Sequence, residues 1–293
     1  MIYWITVNYY STELIQRLIN SLVETCHGAS PQGINYQIII INNSPDDLSI
    51  YRLKSPYVVV FDAPENIGFG RACNLGLTWV YQQDSQAIVW LINPDAYLSK
   101  NALSPGIELF KNYPELSILG TVIYNSKGEL EFTEGQFNPK TGIIKVCNQL
   151  SETLQNQPYQ LTDWVSGCSL LINLKNFREC PQFDSNYFLY YEDFDFCLRY
   201  RNQGHQIGIT AQIQVFHQTS SITQRNPNLK LQYSIYSYLL SLHKHTRKAV
   251  LLYWLFRISF VGLITILITP QKSWYKLKGV INFIVDNIKN KLL

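Results

Sequence analysis

Three carboxylates, Glu192, Asp193 and Asp195, fall within four positions of the run Phe188-Leu189-Tyr190-Tyr191-Glu192-Asp193-Phe194-Asp195-Phe196-Cys197-Leu198-Arg199. The residues around them are apolar and aromatic. Carboxylates in such a setting cost free energy unless they are paired, hydrogen-bonded or close to a cation. An acidic helix start, favoured by the macrodipole, accounts for one or two of them but not for the aromatics beside them. The chemistry that fits is general-base catalysis. Transfer of a group to a hydroxyl needs that hydroxyl's proton removed as the new bond forms. Asp193 is the candidate base, with Glu192 beside it. Repulsion from Glu192 and Asp195 would raise its proton affinity, whereas a metal or Arg199 would lower it.

Two further places could serve the same reaction. Asn93-Pro94-Asp95 follows an apolar run at 87–92. One carboxylate on a tight turn can hold a hard divalent cation, which keeps waters and accepts phosphate oxygens as further ligands. A cation across a diphosphate neutralises leaving-group charge. His217, after Val215-Phe216, is a candidate second ligand. Each has an ordinary alternative: Asn-Pro-Asp is a common turn, and a lone histidine can be structural.

The elements that must position these residues alternate. Apolar runs at 2–7, 38–41, 57–61 and 87–92 read as strands. Ile38-Ile39-Ile40-Ile41 is continuous, as in a parallel strand buried on both faces. Leu14, Leu18 and Leu22 with Ile15, Ile19 and Val23 predict a helix between the first two runs. Asn66-Ile67-Gly68-Phe69-Gly70 is a glycine turn leading into a second helix. The alternation argues for a doubly wound α/β sheet, with ligands beyond the carboxyl ends of the strands. Residues 118–171 read as hairpins turning at Asn125–Gly128 and Asn138–Gly142, and 164–172 as one more buried strand. The acidic cluster opens a helix ending near Gly204.

Composition bounds the rest. The 293 residues are 46% hydrophobic and only 15% charged. From Lys230 onward there are ten Lys and Arg and one acid, Asp286, so the tail carries +9 and the body −6. A basic, apolar tail suits an anionic membrane surface. No nucleic-acid-binding motif is present, so nucleic acid is not expected as a partner. Residues 249–269 approach the length of a membrane span, with Arg257 as a costly interruption. Trp274, Leu277, Ile281, Ile284 and Ile288 form a stripe flanked by Lys276, Lys278, Lys289 and Lys291, as in an interfacial helix. A buried helical hairpin or a homodimer interface would use the same apolar surface. The six cysteines lack metal-site spacing and read as reduced thiols. The N-terminus has no signal-peptide pattern, and the expected location is cytoplasmic, at the cytoplasmic face of a membrane.

Seven motifs run in a recognisable order. They are Val7-Asn8-Tyr9, Ile41-Asn42-Asn43-Ser44, Asn66 to Gly70 with Asn74 and Gly76, Leu91-Ile92-Asn93-Pro94-Asp95-Ala96, Ser166-Gly167, the 188–199 run, and His217. In this order the chain resembles a family 2 glycosyltransferase with the GT-A fold, close to the rhamnosyltransferase-like branch. The resemblance covers about residues 2–220. It implies a Rossmann-like, mainly parallel sheet flanked by helices over 1–230, followed by a helical, membrane-associating region at 231–293. It implies inverting transfer of one sugar from a nucleoside diphosphate sugar to a lipid-linked or cell-surface glycan acceptor in polysaccharide biosynthesis. Deoxythymidine diphosphate rhamnose is the donor suggested by the branch. By resemblance, Asp95 and His217 hold Mg²⁺ or Mn²⁺ and Asp193 is the base. Thr6, Val7, Asn8, Asn42, Asn66, Gly68, Phe69, Gly70, Asn74 and Asn93 fall at the donor. One position departs: Asn42 stands where the family usually has Asp. An amide both accepts and donates, so nucleobase contact is altered; Asp46 or Asp47 could supply the missing carboxylate. That departure also leaves open a non-catalytic, sugar-nucleotide-binding scaffold of a glycan assembly complex.

Overall fold

Strand β1 (Ile2–Asn8) is buried along its whole length, and Ile38 to Ile41 of β2 (Tyr36–Asn42) are at most 1% exposed. Side chains alternate faces along a strand, so such strands must be covered on both sides. The computed structural model describes residues 1–28, 35–99, 102–218 and 226–292; the side chains of Cys26 and Lys291 lie outside the described part. Helix α1 (Thr12–Gly28) joins β1 to β2. Strand β3 (Val58–Asp62), α2 (Phe69–Gln83) and β4 (Ile88–Ile92) follow. These four strands pair in parallel in the order β3-β2-β1-β4. The chain runs outward from β1 to β3 and then returns to β4, so the switch point lies between β1 and β4. Trp4 of β1 stacks on Trp90 of β4 with ring centroids 4.3 Å apart.

Beyond β4 the sheet is mixed. Strand β5 (Ala96–Leu98), α3 (Leu103–Asn112) and β6 (Leu116–Asn125) come next, then the short β7 (Leu130–Phe132). Strands β8 (Glu134–Asn138) and β9 (Ile143–Cys147) form a separate hairpin. Helix α4 (Glu152–Asn156) and strand β10 (Gln160–Leu161) precede β11 (Ser169–Asn173). β11 lies antiparallel between β4 and β6. Helix α5 (Glu192–Asn202) leads to β12 (Gln206–His217), which pairs parallel with β6. The expected helix from the acidic cluster to Gly204 is therefore present, as are both turns at Gly128 and Gly142.

Three expectations change. The buried strand read over 164–172 begins only at Ser169. Residues 167 and 168 direct backbone groups at Asp193 and Asn93 instead of a ladder, as described below. The long β12 was not read as a strand. The tail contains three helices, α6 (Pro227–His245), α7 (Lys248–Ile264) and α8 (Pro270–Leu292), rather than two segments. Helix α6 escapes a periodicity reading because serines lie on the face that it buries.

The three C-terminal helices share a small core of Leu239, Leu240, Ile258, Val280 and Phe283, together with Tyr187 from the segment before α5. The β8–β9 turn ties them to the sheet domain. There Gly142 has φ 75°, its carbonyl accepts from the Tyr238 hydroxyl at 2.9 Å, and the Thr141 carbonyl accepts from Trp254 Nε1 at 2.7 Å. The other face of α7 and α8, and the turn between them, are open, with Phe256, Leu267, Ile268 and Trp274 exposed. Of the expected α8 stripe, Trp274, Ile281, Ile284 and Ile288 are exposed, while Val280 and Phe283 form the core-facing side. The stretch 248–267 is long and apolar enough to cross a membrane by length and composition.

Candidate active site

The polar ends of β1, β2 and β3 meet at one edge of the sheet. Asn8 and Asn42 are adjacent in register and fully buried. Asn8 Nδ2 donates to Asn42 Oδ1 at 2.9 Å and to Asp47 Oδ2 at 3.1 Å. Asn8 Oδ1 accepts from the Ser11 backbone N–H at 2.9 Å, which fixes the chain as it enters α1. Asn42 Nδ2 donates to Asp62 Oδ1 at 2.9 Å. Asp62 ends β3 opposite Asn42 and is exposed. A carboxylate therefore does stand at this edge, one strand over from Asn42. Asp47 is engaged by Asn8, Thr12 and Ser49, and Asp46 accepts from the Tyr10 hydroxyl. Asp62 was missed because nothing in a strand-ending Phe-Asp-Ala sequence marks it; only its register with Asn42 does. Val7 and Thr6 are buried in β1, one and two residues before Asn8.

The glycine loop is held from below. Asn43 Nδ2 donates to Asn66 Oδ1 at 2.9 Å, and Asn43 Oδ1 accepts from the Ile67 N–H at 2.9 Å. Gly68 has φ 88°, and a Cβ there would lie 2.3 Å from the Phe188 carbonyl oxygen. Only glycine lets this loop close on the segment before α5. Phe69 N–H donates to the same Phe188 carbonyl at 3.2 Å. Asn74 pairs both amide groups with the Phe183 backbone, at 2.8 and 2.7 Å. Its amide thus anchors the 183–188 segment, and any contribution to a donor pocket is made through that segment.

Asp193 lies in the first turn of α5. Its Oδ2 accepts from the Gly167 N–H at 2.8 Å and its Oδ1 from the Phe194 N–H at 2.8 Å. Burial raises its proton affinity above the ordinary carboxylate value, and these two N–H donors pull it back. Glu192 points the other way, against Gly70 and Cys73. It is 5% exposed, and its Oε2 has no hydrogen-bond partner among the described residues. Burial first, and then the Asp193 charge, pushes it up to about 8. Glu192 therefore leans to its protonated form at neutral pH, while the two N–H donors favour the charged form of Asp193. Asp195 is not a free neighbour of Asp193: its carboxylate is fully buried against Arg199 and His245. Just ahead of α5, Tyr190 and Tyr191 both have positive φ, 70° and 62°.

Asp95 sits on the turn after β4 and His217 at the end of β12. His217 Nε2 is 3.2 Å from Asp95 Oδ1, and its Nδ1 is 3.4 Å from Glu131 Oε2. Burial would lower its pKa, but Cys168, Asp95 and Glu131 outweigh that and push it up to about 12. Glu131 and Cys168 are contacts that the sequence did not suggest. Among the described residues no group of three or more His, Cys, Asp or Glu side chains forms a complete metal site. A carboxylate oxygen facing an imidazole nitrogen nevertheless fits a divalent cation that takes its remaining ligands from phosphate and water. The segment Ser166–Cys168 joins the two halves of the site. Gly167 N–H reaches Asp193, while the Cys168 carbonyl accepts from Asn93 N–H at 2.9 Å. Asp193, the Asp95–His217 pair and the asparagine-lined edge thus share the carboxyl end of the sheet.

Residues 3–178 match the family described as Glycosyl transferase family 2, and the chain belongs to that family. The fold is of the GT-A type. A solved structure, GalNAc-T7 with UDP, GalNAc and Mn²⁺, superposes with TM-score 0.61 at 14% identity, covering 89% of this chain and 50% of that one. The low-salt glycan biosynthesis hexosyltransferase Agl10 of Haloferax volcanii is 23% identical over 219 residues, covering 73% of this chain and 66% of Agl10. The N-acetylglucosaminyl-diphospho-decaprenol L-rhamnosyltransferase of Mycobacterium tuberculosis is 22% identical over 191 residues, covering 59% of this chain and 62% of that protein. The chain thus spans somewhat under two thirds of the length of both relatives.

Proposed function

We propose that this protein is an inverting, metal-dependent glycosyltransferase that moves one sugar from a nucleoside diphosphate sugar to a lipid-linked or cell-surface glycan acceptor. The observation that carries the reading is Asp193. It is a carboxylate on the first turn of α5, aimed by the Gly167 N–H at 2.8 Å and joined through Cys168 to the turn that bears Asp95. Asp193 takes the acceptor hydroxyl's proton as the new C–O bond forms and the bond to the diphosphate breaks on the opposite face of the sugar. Inversion follows from that single displacement. Asp95 and His217 would hold a divalent cation, which neutralises the departing diphosphate. Glu192, leaning to its protonated form at neutral pH, competes weakly for the proton.

Rhamnose from deoxythymidine diphosphate rhamnose is the favoured donor, supported by the likeness to a rhamnosyltransferase whose name carries a diphospho-decaprenol acceptor. We place the nucleobase at the edge formed by Asn8, Asn42 and Asp62. Because Asp62 supplies a carboxylate beside Asn42, the amide there no longer favours a non-catalytic scaffold. We take residues 1–230 as the transfer unit and 231–293 as the region that attaches it, interfacially and at the cytoplasmic face, to an anionic membrane; α6 begins just ahead of that boundary. An exposed apolar face edged by lysines supports this. The test is the Asp193→Asn variant together with the anomeric configuration of the product. Turnover should fall by about 10²–10⁴-fold with donor affinity kept, and the product should be inverted. A product of retained configuration would remove the single-displacement mechanism.

A further inference from the structure

Helix α6 carries Ser234, Ser237, Ser241 and His245, spaced so that they share one helical face. The three serines meet the segment that leads to Asp193, and His245 meets Asp195 two residues beyond it. Ser234 lies beside the Tyr191 side chain. Ser237 Oγ donates to the Leu189 carbonyl at 2.8 Å. Ser241 Oγ lies 3.1 Å from the Tyr187 hydroxyl. His245 Nε2 lies 2.9 Å from Asp195 Oδ1. Asp195 is fully buried, and its other oxygen accepts from Arg199 Nε at 2.7 Å. The Tyr187 hydroxyl also donates to Asp195 Oδ1, at 3.4 Å.

The segment held in this way is one that would not keep its shape alone. Tyr190 and Tyr191 both lie in the left-handed region, which residues with a Cβ disfavour, and they stand immediately before Glu192 and Asp193. Such conformations persist only where the surroundings over-determine them. Here the surroundings are the α6 polar face on one side and Gly68, closed on the Phe188 carbonyl, on the other. The direction in which α5 leaves this turn sets where the Asp193 carboxylate points.

We propose that the polar face of α6 is a clamp on the catalytic turn, and that His245, acting through Asp195, is a positioning residue for Asp193. The inference rests on Asp193 being the base. It makes the C-terminal helices part of the transfer machinery rather than an attachment alone.

The test uses the full-length chain with three variants, His245→Leu, His245→Gln and Asp193→Asn. Turnover is measured on the member of a panel of UDP-, GDP- and dTDP-sugars that the parent consumes, and amide hydrogen exchange is measured across residues 187–195. The His245→Leu variant should lose about ten- to a hundred-fold in kcat with the donor KM within about twofold. Exchange over 187–195 should rise while the sheet strands stay protected. The His245→Gln variant, whose amide N–H can reach Asp195, should recover most of the rate. Parent-like kcat and exchange in His245→Leu would overturn the proposal. A matched loss of donor affinity, or no recovery in His245→Gln, would reduce His245 to a structural role. Where His245→Leu does not fold, Ser237→Ala removes one clamp bond with little change in volume, and the same two outcomes decide. Full turnover in Asp193→Asn would instead sink the base assignment, leaving the exchange measurement to decide the clamp by itself.

Discussion

A single amide at the end of β2 bears on which residue would meet the nucleobase in the proposed function. Asn42 uses its carbonyl on Asn8 and its N–H on Asp62, so the carboxylate bonded directly to Asn42 is that of Asp62. The Asp62→Asn variant should therefore bind a nucleoside diphosphate about ten-fold or more weakly, the scale of one charged hydrogen bond, as read by titration calorimetry. Unchanged affinity would move the nucleobase elsewhere. Glu192 makes a different prediction. Its folded pKa, about 8, lies above the ordinary 4.5, so the folded state holds a proton that the unfolded chain releases. Its contribution to stability is complete below about pH 4.5 and is lost as pH rises to about 8. Thermal melts of Glu192→Gln should show a flatter decline across that window than the parent. Parallel declines would show that Glu192 is not the titrating group. Of these residues the sequence disclosed Asp193, Asp95, His217 and Asn42 through their motifs. It hid Asp62, Glu131 and Cys168, which reach the site only through strand register and loop closure.

Elements differ in how openly they announce themselves. The continuous Ile38–Ile41 run and the alternation around it were enough to read β1 through β4, because strands buried on both faces admit few polar residues. The first half of the 164–172 stretch is just as apolar, yet it is a loop. Its backbone groups serve Asp193, Asn93 and the β8 strand rather than a β-ladder, and no hydropathy pattern reports that. Helix α6 fails for the opposite reason: serines lie on a buried face because the turn before α5 offers them carbonyl and hydroxyl partners. The loop before β11 can be tested as an element. A Cβ at Gly167 would sit 3.3 Å from Asp193 Cβ, closer than ordinary contact. The Gly167→Ala variant should push α5 away from the loop and lower kcat about ten-fold or more, with donor affinity retained. An unaffected kcat would show that this N–H does not aim the base.

Across the whole molecule, charge and apolar surface divide the same way. The body is acidic and the tail basic, and the tail also exposes Phe256, Leu267 and Ile268. Arg257, exposed in the middle of α7 with its guanidinium 4.7 Å over the Trp254 ring, suits a helix lying in the interface better than one crossing the bilayer. The triple substitution Phe256→Glu, Leu267→Glu and Ile268→Glu should weaken binding to phosphatidylserine-containing vesicles by at least about ten-fold and leave the melting temperature unchanged. Binding by the parent should also fall with salt. Equal partitioning of parent and variant would contradict attachment through this face. Deleting residues 251–293 is a poorer test, since it would strip Ile258, Val280 and Phe283 from the core they share with Leu239. The central claim is the chemistry at Asp193. It is tested most directly by turnover across a panel of nucleotide sugars, with and without Mg²⁺ or Mn²⁺, in the parent and in Asp193→Asn. The account predicts metal-dependent consumption of one donor by the parent and its loss in the variant. Equal, metal-independent turnover by both proteins would contradict it.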